Sequence, residues 1–151
     1  MTLTLRRSGL GLCLLLASGI ALAQATPAGA WKTIDDSTKK EKSLVRIVES
    51  GGVYTGKVER VLDPDSPKDA VCKDCVDERK DKPVVGMTIL RNVKASADDK
   101  AVFEGGDILD PNNGKVYSAK LTLVDGGNKL DVRGYIGMPM LGRTQTWTRV
   151  E

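Results

Sequence analysis

The sequence predicts an all-β protein, a single antiparallel up-and-down β-barrel of about eight strands. Two observations carry that expectation. Apolar and polar residues alternate with a period of two through much of the chain, the pattern of strands with one face in a core. Between the alternating segments stand clusters of turn formers, such as Ser50-Gly51-Gly52, Asp110-Pro111-Asn112-Asn113-Gly114 and Asp125-Gly126-Gly127-Asn128. Their glycines and asparagines accept positive φ and join neighbouring strands as hairpins. A third observation is negative: after residue 23 no stretch has helical periodicity of useful length. Short antiparallel strands must bury one face and protect two edges, and closing the sheet does both. A sandwich is the alternative; a meander with only one long connection favours the barrel.

Residues 1–23 read as a signal peptide. Arg6 and Arg7 form a positive start, Leu10 to Ile20 is an apolar run, and Ala21-Leu22-Ala23 has the small-x-small pattern that a signal peptidase cuts after. That run is too short for a comfortable bilayer span, and no later segment is long and apolar enough to be one. Cys13 does not complete a lipidation box, because Leu12 is large where a small residue is needed and the apolar run continues beyond it. The mature chain is therefore expected to begin at Gln24, in the periplasm or outside the cell, with no transmembrane segment. Residues 24–28 are expected to be a disordered lead and residues 29–151 one barrel domain.

The strands follow in order. Gly29-Ala30-Trp31-Lys32-Thr33-Ile34 begins the first, and the polar run Asp35 to Lys40 turns the chain. Leu44 to Glu49 is the second; Val53 to Leu62 is the third, with Gly56 marking a bend or bulge. From Asp63 to Pro83 the alternation stops, in a long connection holding Cys72, Cys75 and a run of mixed charge. Val84 to Leu90 reads as the fourth strand and Asn92 to Lys100 as a polar connection. Ala101 to Leu109, Val116 to Val124, Leu130 to Ile136 and Leu141 to Val150 complete the set.

Composition narrows the chemistry. Removing Arg6 and Arg7 from the 23 basic residues leaves 21 against 20 acidic ones, a formal charge of +1. No basic field remains to draw nucleic acid, and the lysines between Lys32 and Lys42 are interleaved with Asp35, Asp36 and Glu41. The chain has no histidine, which removes the usual neutral-pH base and the Ser/His or Cys/His nucleophile pairs. Carboxylates would have to serve, and Glu104 and Asp107, beside Gly105-Gly106, read as solvated. No catalytic residue is assigned. Two thiolates make half a zinc shell, and Asp63-Pro64-Asp65 and Asp110 to Asn113 lack the alternating oxygen ligands of a calcium loop. No metal or cofactor is expected.

Cys72 and Cys75 remain as an even pair, which in an oxidising compartment forms a disulfide. Their spacing also occurs in redox-active pairs, but that chemistry needs a thiolate stabilised at a helix N-terminus, and no helix is readable after Cys75. The pair is expected to staple the long connection.

Three motifs carry a family resemblance. Cys72-Lys73-Asp74-Cys75 running to Gly86-Met87, Gly106-Asp107-Ile108-Leu109-Asp110-Pro111-Asn112-Asn113-Gly114-Lys115-Val116-Tyr117, and Gly134-Tyr135-Ile136-Gly137 with Leu141-Gly142-Arg143-Thr144-Gln145-Thr146-Trp147-Thr148-Arg149 resemble the domain-of-unknown-function family DUF2147 of exported bacterial proteins. The resemblance spans nearly all of the mature chain. It implies a calycin or lipocalin-like barrel with a ligand-sized interior, and no particular reaction. Gly29-Ala30-Trp31 is also similar to the Gly-x-Trp signature of the first lipocalin strand. There the tryptophan closes one barrel end beneath an arginine of the last strand, a role that falls here to Arg149 or to Arg143. Such a stack contributes about 0.5–2 kcal/mol.

An eight-stranded barrel is filled by side chains or holds one small ligand. With six aromatic residues in the mature chain, much of the interior must be aliphatic. Alternation nominates Val45, Ile47, Tyr54, Val58, Met87, Ile89, Phe103, Tyr117, Leu121, Val132, Ile136 and Leu141 as its lining. The sequence thus points to an exported, non-enzymatic protein whose partner is a small amphipathic or hydrophobic molecule. The alternative is an envelope interaction or structural protein with a filled barrel, working through its surface loops.

Overall fold

The computed structural model describes residues 25–151; the expected signal segment, Cys13 and Gln24 lie outside the described residues. Eight strands form: β1 (Gly29–Ile34), β2 (Glu41–Ser50), β3 (Val53–Val61), β4 (Thr88–Ala95), β5 (Val102–Asp110), β6 (Lys115–Val124), β7 (Lys129–Tyr135) and β8 (Arg143–Arg149). Each pairs antiparallel with the next, and β8 pairs back onto β1 to close the barrel. Closure pairs the two terminal strands with each other, Trp31 with Arg149 and Lys32 with Thr148, so neither β1 nor β8 is a free edge along its whole length.

The inward face follows the period-two pattern. Trp31 and Thr33 of β1, Val45 and Ile47 of β2, Tyr54 and Val58 of β3, Ala119 and Leu121 of β6, and Leu130 and Val132 of β7 are all buried. Register stacks these residues in layers. Arg149 lies opposite Trp31, Trp147 opposite Leu130, Gln145 opposite Val132 and Arg143 opposite Gly134. One face of β8 therefore runs from Arg149 at one end of the barrel to Arg143 at the other.

The fourth strand departs from the expectation. It runs from Thr88 to Ala95, taking in the first four residues of the stretch read as a polar connection, while 84–87 lie outside it. Asn92 adopts φ 59°, which breaks the alternation, so the buried Leu90 and Val93 sit three residues apart. The facing strand is distorted at the same level. A side chain on Gly106 would meet Arg91 O at 2.1 Å, so β4 and β5 approach where only glycine fits.

The long connection has structure of its own. Cys72 and Cys75 form the expected disulfide. Cys72 N donates to Lys82 O at 3.0 Å and Asp81 N donates to Cys72 O at 2.8 Å, making a small hairpin around a Val71–Pro83 bridge. This hairpin is docked rather than loose. Arg79 is buried, donating to Asp77 at 2.5 Å and to the β4 carbonyl of Thr88 at 2.9 Å. Arg91 reaches from β4 to Glu78 at 3.0 Å and to Asp107 at 3.2 Å. At Gly114, where φ is +69°, an added Cβ would lie 2.0 Å from Asp74 O, so the disulfide turn rests directly on the β5–β6 turn.

Residues 26–28, within the lead expected to be disordered, are held instead. Trp31 Nε1 donates to Pro27 O at 2.8 Å, and the carbonyls of Thr26 and Ala28 accept from Arg149. A buried indole N–H and a part-buried guanidinium both need acceptors, and this segment supplies them.

Candidate functional site: a cup open at one barrel end

One end of the barrel is shut. The Arg149 guanidinium lies over the Trp31 ring, 4.1 Å from its centroid, and donates to Gly127 O at 2.7 Å, Ala28 O at 2.8 Å and Thr26 O at 2.6 Å. Burial pulls the Arg149 pKa below the ordinary guanidinium value. Of the two arginines nominated for this cap, Arg149 fills it. Arg143 sits at the other end, bound through two nitrogens to both carboxylate oxygens of Asp36.

Above the cap the interior is packed. Tyr54 meets Phe103 edge-to-face with ring centroids 5.1 Å apart, and burial pushes the Tyr54 phenol upward. Val45, Ile47, Val58, Met87 and Leu121 belong to the same buried cluster. These seven nominated residues are packed and do not border the cavity at the other end.

The other end holds a cavity of about 320 Å³. Its walls include Ile89, Ile108, Leu109, Tyr117, Val132 and Trp147, together with the polar side chains of Thr33, Ser43 and Gln145. The rim is built by Asp35 of the β1–β2 connection, Lys42 at the start of β2, the β5–β6 turn from Asp110 to Asn113, and Arg143. Gly134 leaves room for Tyr117, whose Cβ lies 3.3 Å from where a Gly134 side chain would start.

Hydrogen bonds fix the polar wall. Thr33 Oγ1 and Ser43 Oγ are 2.9 Å apart, and Trp147 Nε1 donates to Gln145 Oε1 at 3.2 Å. At the rim, Lys42 donates to Asp63 at 2.5 Å; this contact lowers the carboxyl pKa and raises that of the ammonium. The Arg143 contact likewise holds Asp36 low. Asp35 is held well below the carboxylate range chiefly by Ser37 and Thr38, whose N–H and O–H groups its Oδ1 accepts.

Of the nominated lining, Ile89, Tyr117 and Val132 reach the cavity. Ile136 and Leu141 do not line the interior: they are 69% and 75% exposed. The alternation of β7 stops at Tyr135, and Gly137 at φ 79° then turns the chain into a corner ending in the 3-10 turn Pro139–Leu141. Arg133 fastens that corner, donating to Pro139 O at 2.5 Å and Met140 O at 3.1 Å. Thr33, Ser43, Ile108, Leu109, Gln145 and Trp147 were not nominated. For β8 the signal lay in its own alternation, since Arg149, Trp147, Gln145 and Arg143 recur every second residue. Among the described residues no group of three or more Cys, Asp or Glu is placed to hold a metal ion.

An eight-stranded meander that closes on itself, stoppered by an arginine over a tryptophan and hollow at the opposite mouth, has the architecture of a lipocalin-like barrel. A solved structure described as "Protein HP1028 from the human pathogen Helicobacter pylori belongs to the lipocalin family" has a similar fold, with a TM-score of 0.71 at 20% identity over 84% of each chain. Residues 29–149 match the family described as "Uncharacterized protein conserved in bacteria (DUF2147)", and the chain belongs to that family. No curated protein matches it.

Proposed function

We propose that the protein is an exported, non-enzymatic carrier that holds a small amphipathic or hydrophobic molecule in the open end of its barrel. The cavity is the observation that carries this reading. At about 320 Å³ it lies at the lower end of the range for small-molecule sites, and it combines aliphatic and aromatic walls with a few convergent polar groups. Export rests on the signal-like composition of residues 1–23 and places the protein in the periplasm or outside the cell. The absence of histidine and the engagement of Asp107 by Arg91 support a binding role over a catalytic one.

Native mass spectrometry of protein purified from its own envelope tests the reading. A co-purifying mass of small-lipid size supports the carrier; consistently bare protein contradicts it.

One observation favours a second reading, in which the protein acts through its surface. Ile136, Met138, Met140 and Leu141 are all more than half exposed on the β7–β8 corner, an apolar cluster that solvent alone does not favour. Replacing all four by serine without loss of in vivo function would remove the basis for that alternative.

A further inference from the structure

We propose that the cavity selects an uncharged, hydrogen-bonding head group on a short apolar chain and rejects the matching carboxylate. The inference rests on the carrier reading and specifies its ligand. It follows from which polar groups around the cavity are already engaged and which are free to act.

The two cations of the lining are committed. Lys42 is bound to Asp63, and Arg143 is bound to Asp36. Asp35 and Asp110 also belong to the lining, so the mouth sets four carboxylates against two cations once the partners are included. An anionic head entering there meets an excess of negative charge and, in this lining, no cation partner whose charge a carboxylate does not already balance. Desolvating a carboxylate without such a partner is costly.

The groups that remain are neutral. Gln145 uses its Oε1 to accept from Trp147, and among the described residues no hydrogen bond engages its amide Nε2. Tyr117 accepts a long bond of 3.4 Å from Asn113 Nδ2, which leaves its own O–H proton to donate. Thr33 Oγ1 accepts from Ser43 N at 3.1 Å, and the Thr33–Ser43 hydroxyl contact uses one of the pair's two O–H protons, which leaves the other to donate. Gln145, Thr33 and Ser43 sit beside Val132 and Trp147. A hydroxyl, ester or amide oxygen can accept there while its chain lies against Ile89, Ile108 and Leu109. The cavity volume suits a chain of about ten carbons better than a long-chain lipid.

The test is equilibrium dialysis of the full mature protein against 1-decanol and against decanoate at pH 8, below the concentration at which either aggregates. The expected result is decanol binding at least about tenfold tighter than decanoate, because the neutral head loses less solvation and meets no repulsion. Asp36→Asn, which frees Arg143, is expected to shift the decanoate-to-decanol ratio toward decanoate. Decanoate binding as tight as or tighter than decanol overturns the head-group inference while leaving the carrier reading intact. Binding of neither overturns both.

Discussion

The Arg149 guanidinium lies 4.1 Å from the centroid of the Trp31 ring, and the same side chain donates to three backbone carbonyls from two separate segments. One residue near the end of the chain thereby ties the approach to β1 to the β6–β7 turn. Arg149→Met keeps the aliphatic stem but loses the stack and leaves those carbonyls without their donor. It should destabilise the barrel by roughly 3 kcal/mol, read as a lowered urea midpoint. Arg149→Lys should recover only part of this, since one ammonium cannot reproduce a fork serving three acceptors.

Gly114 carries the docking of the disulfide hairpin. Alanine there meets the backbone of Asp74 and Cys75 at 2.0 and 2.6 Å and must also hold φ at +69°. Gly114→Ala is expected to cost about 2 kcal/mol and to lift the hairpin. Trypsin cleavage between Lys68 and Lys82 should then accelerate while the barrel strands stay protected. Unchanged cleavage would show that the hairpin does not depend on this seat.

The strands were legible wherever alternation was unbroken. β2, β3, β6 and β7 each present a clean inward face, and the turns between them are marked by glycine and asparagine. β4 was not, because Asn92 in the left-handed region resets the pattern in mid-strand. Ile136 continues the β7 alternation in sequence, yet the chain has left the sheet by then, and no periodicity records that. The cavity was the least legible feature. Which inward residues are packed and which border open space depends on the end of the barrel they occupy, and therefore on register. The arginine-on-tryptophan stack was legible only through the resemblance of Gly29-Ala30-Trp31 to a known signature.

Acid should loosen the hairpin before it unfolds the protein at large. Hydrogen bonds from Arg79 hold Asp77 at about 2, below its ordinary 3.8. A depressed folded-state pKa gives stability that is complete above the unfolded value and lost as pH falls through the folded one. The Asp77 contribution should therefore be flat above about pH 4 and decline between about pH 4 and 2. Asp77→Asn should flatten the dependence of the urea midpoint on pH across that window; an unaltered slope would dissociate Asp77 from the acid response.

The disulfide should act as a staple. Its sulfurs belong to side chains 0% and 1% exposed, out of reach of an attacking thiolate. Cys72→Ser with Cys75→Ser is expected to cost about 2 kcal/mol with the barrel still formed, because the Cys72–Lys82 and Asp81–Cys72 backbone bonds persist. Insulin-reduction turnover by the native protein would contradict this assignment.

The central claim is that the open end of the barrel, and not its surface corner, is where a ligand sits. Amide and side-chain NMR shifts of the labelled protein titrated with 1-decanol test it directly. Shifts are expected at Ile89, Ile108, Tyr117, Val132, Gln145 and Trp147, with Trp31 and Arg149 at the stoppered end unmoved. Shifts confined to Ile136 through Leu141, or none at all, would contradict it.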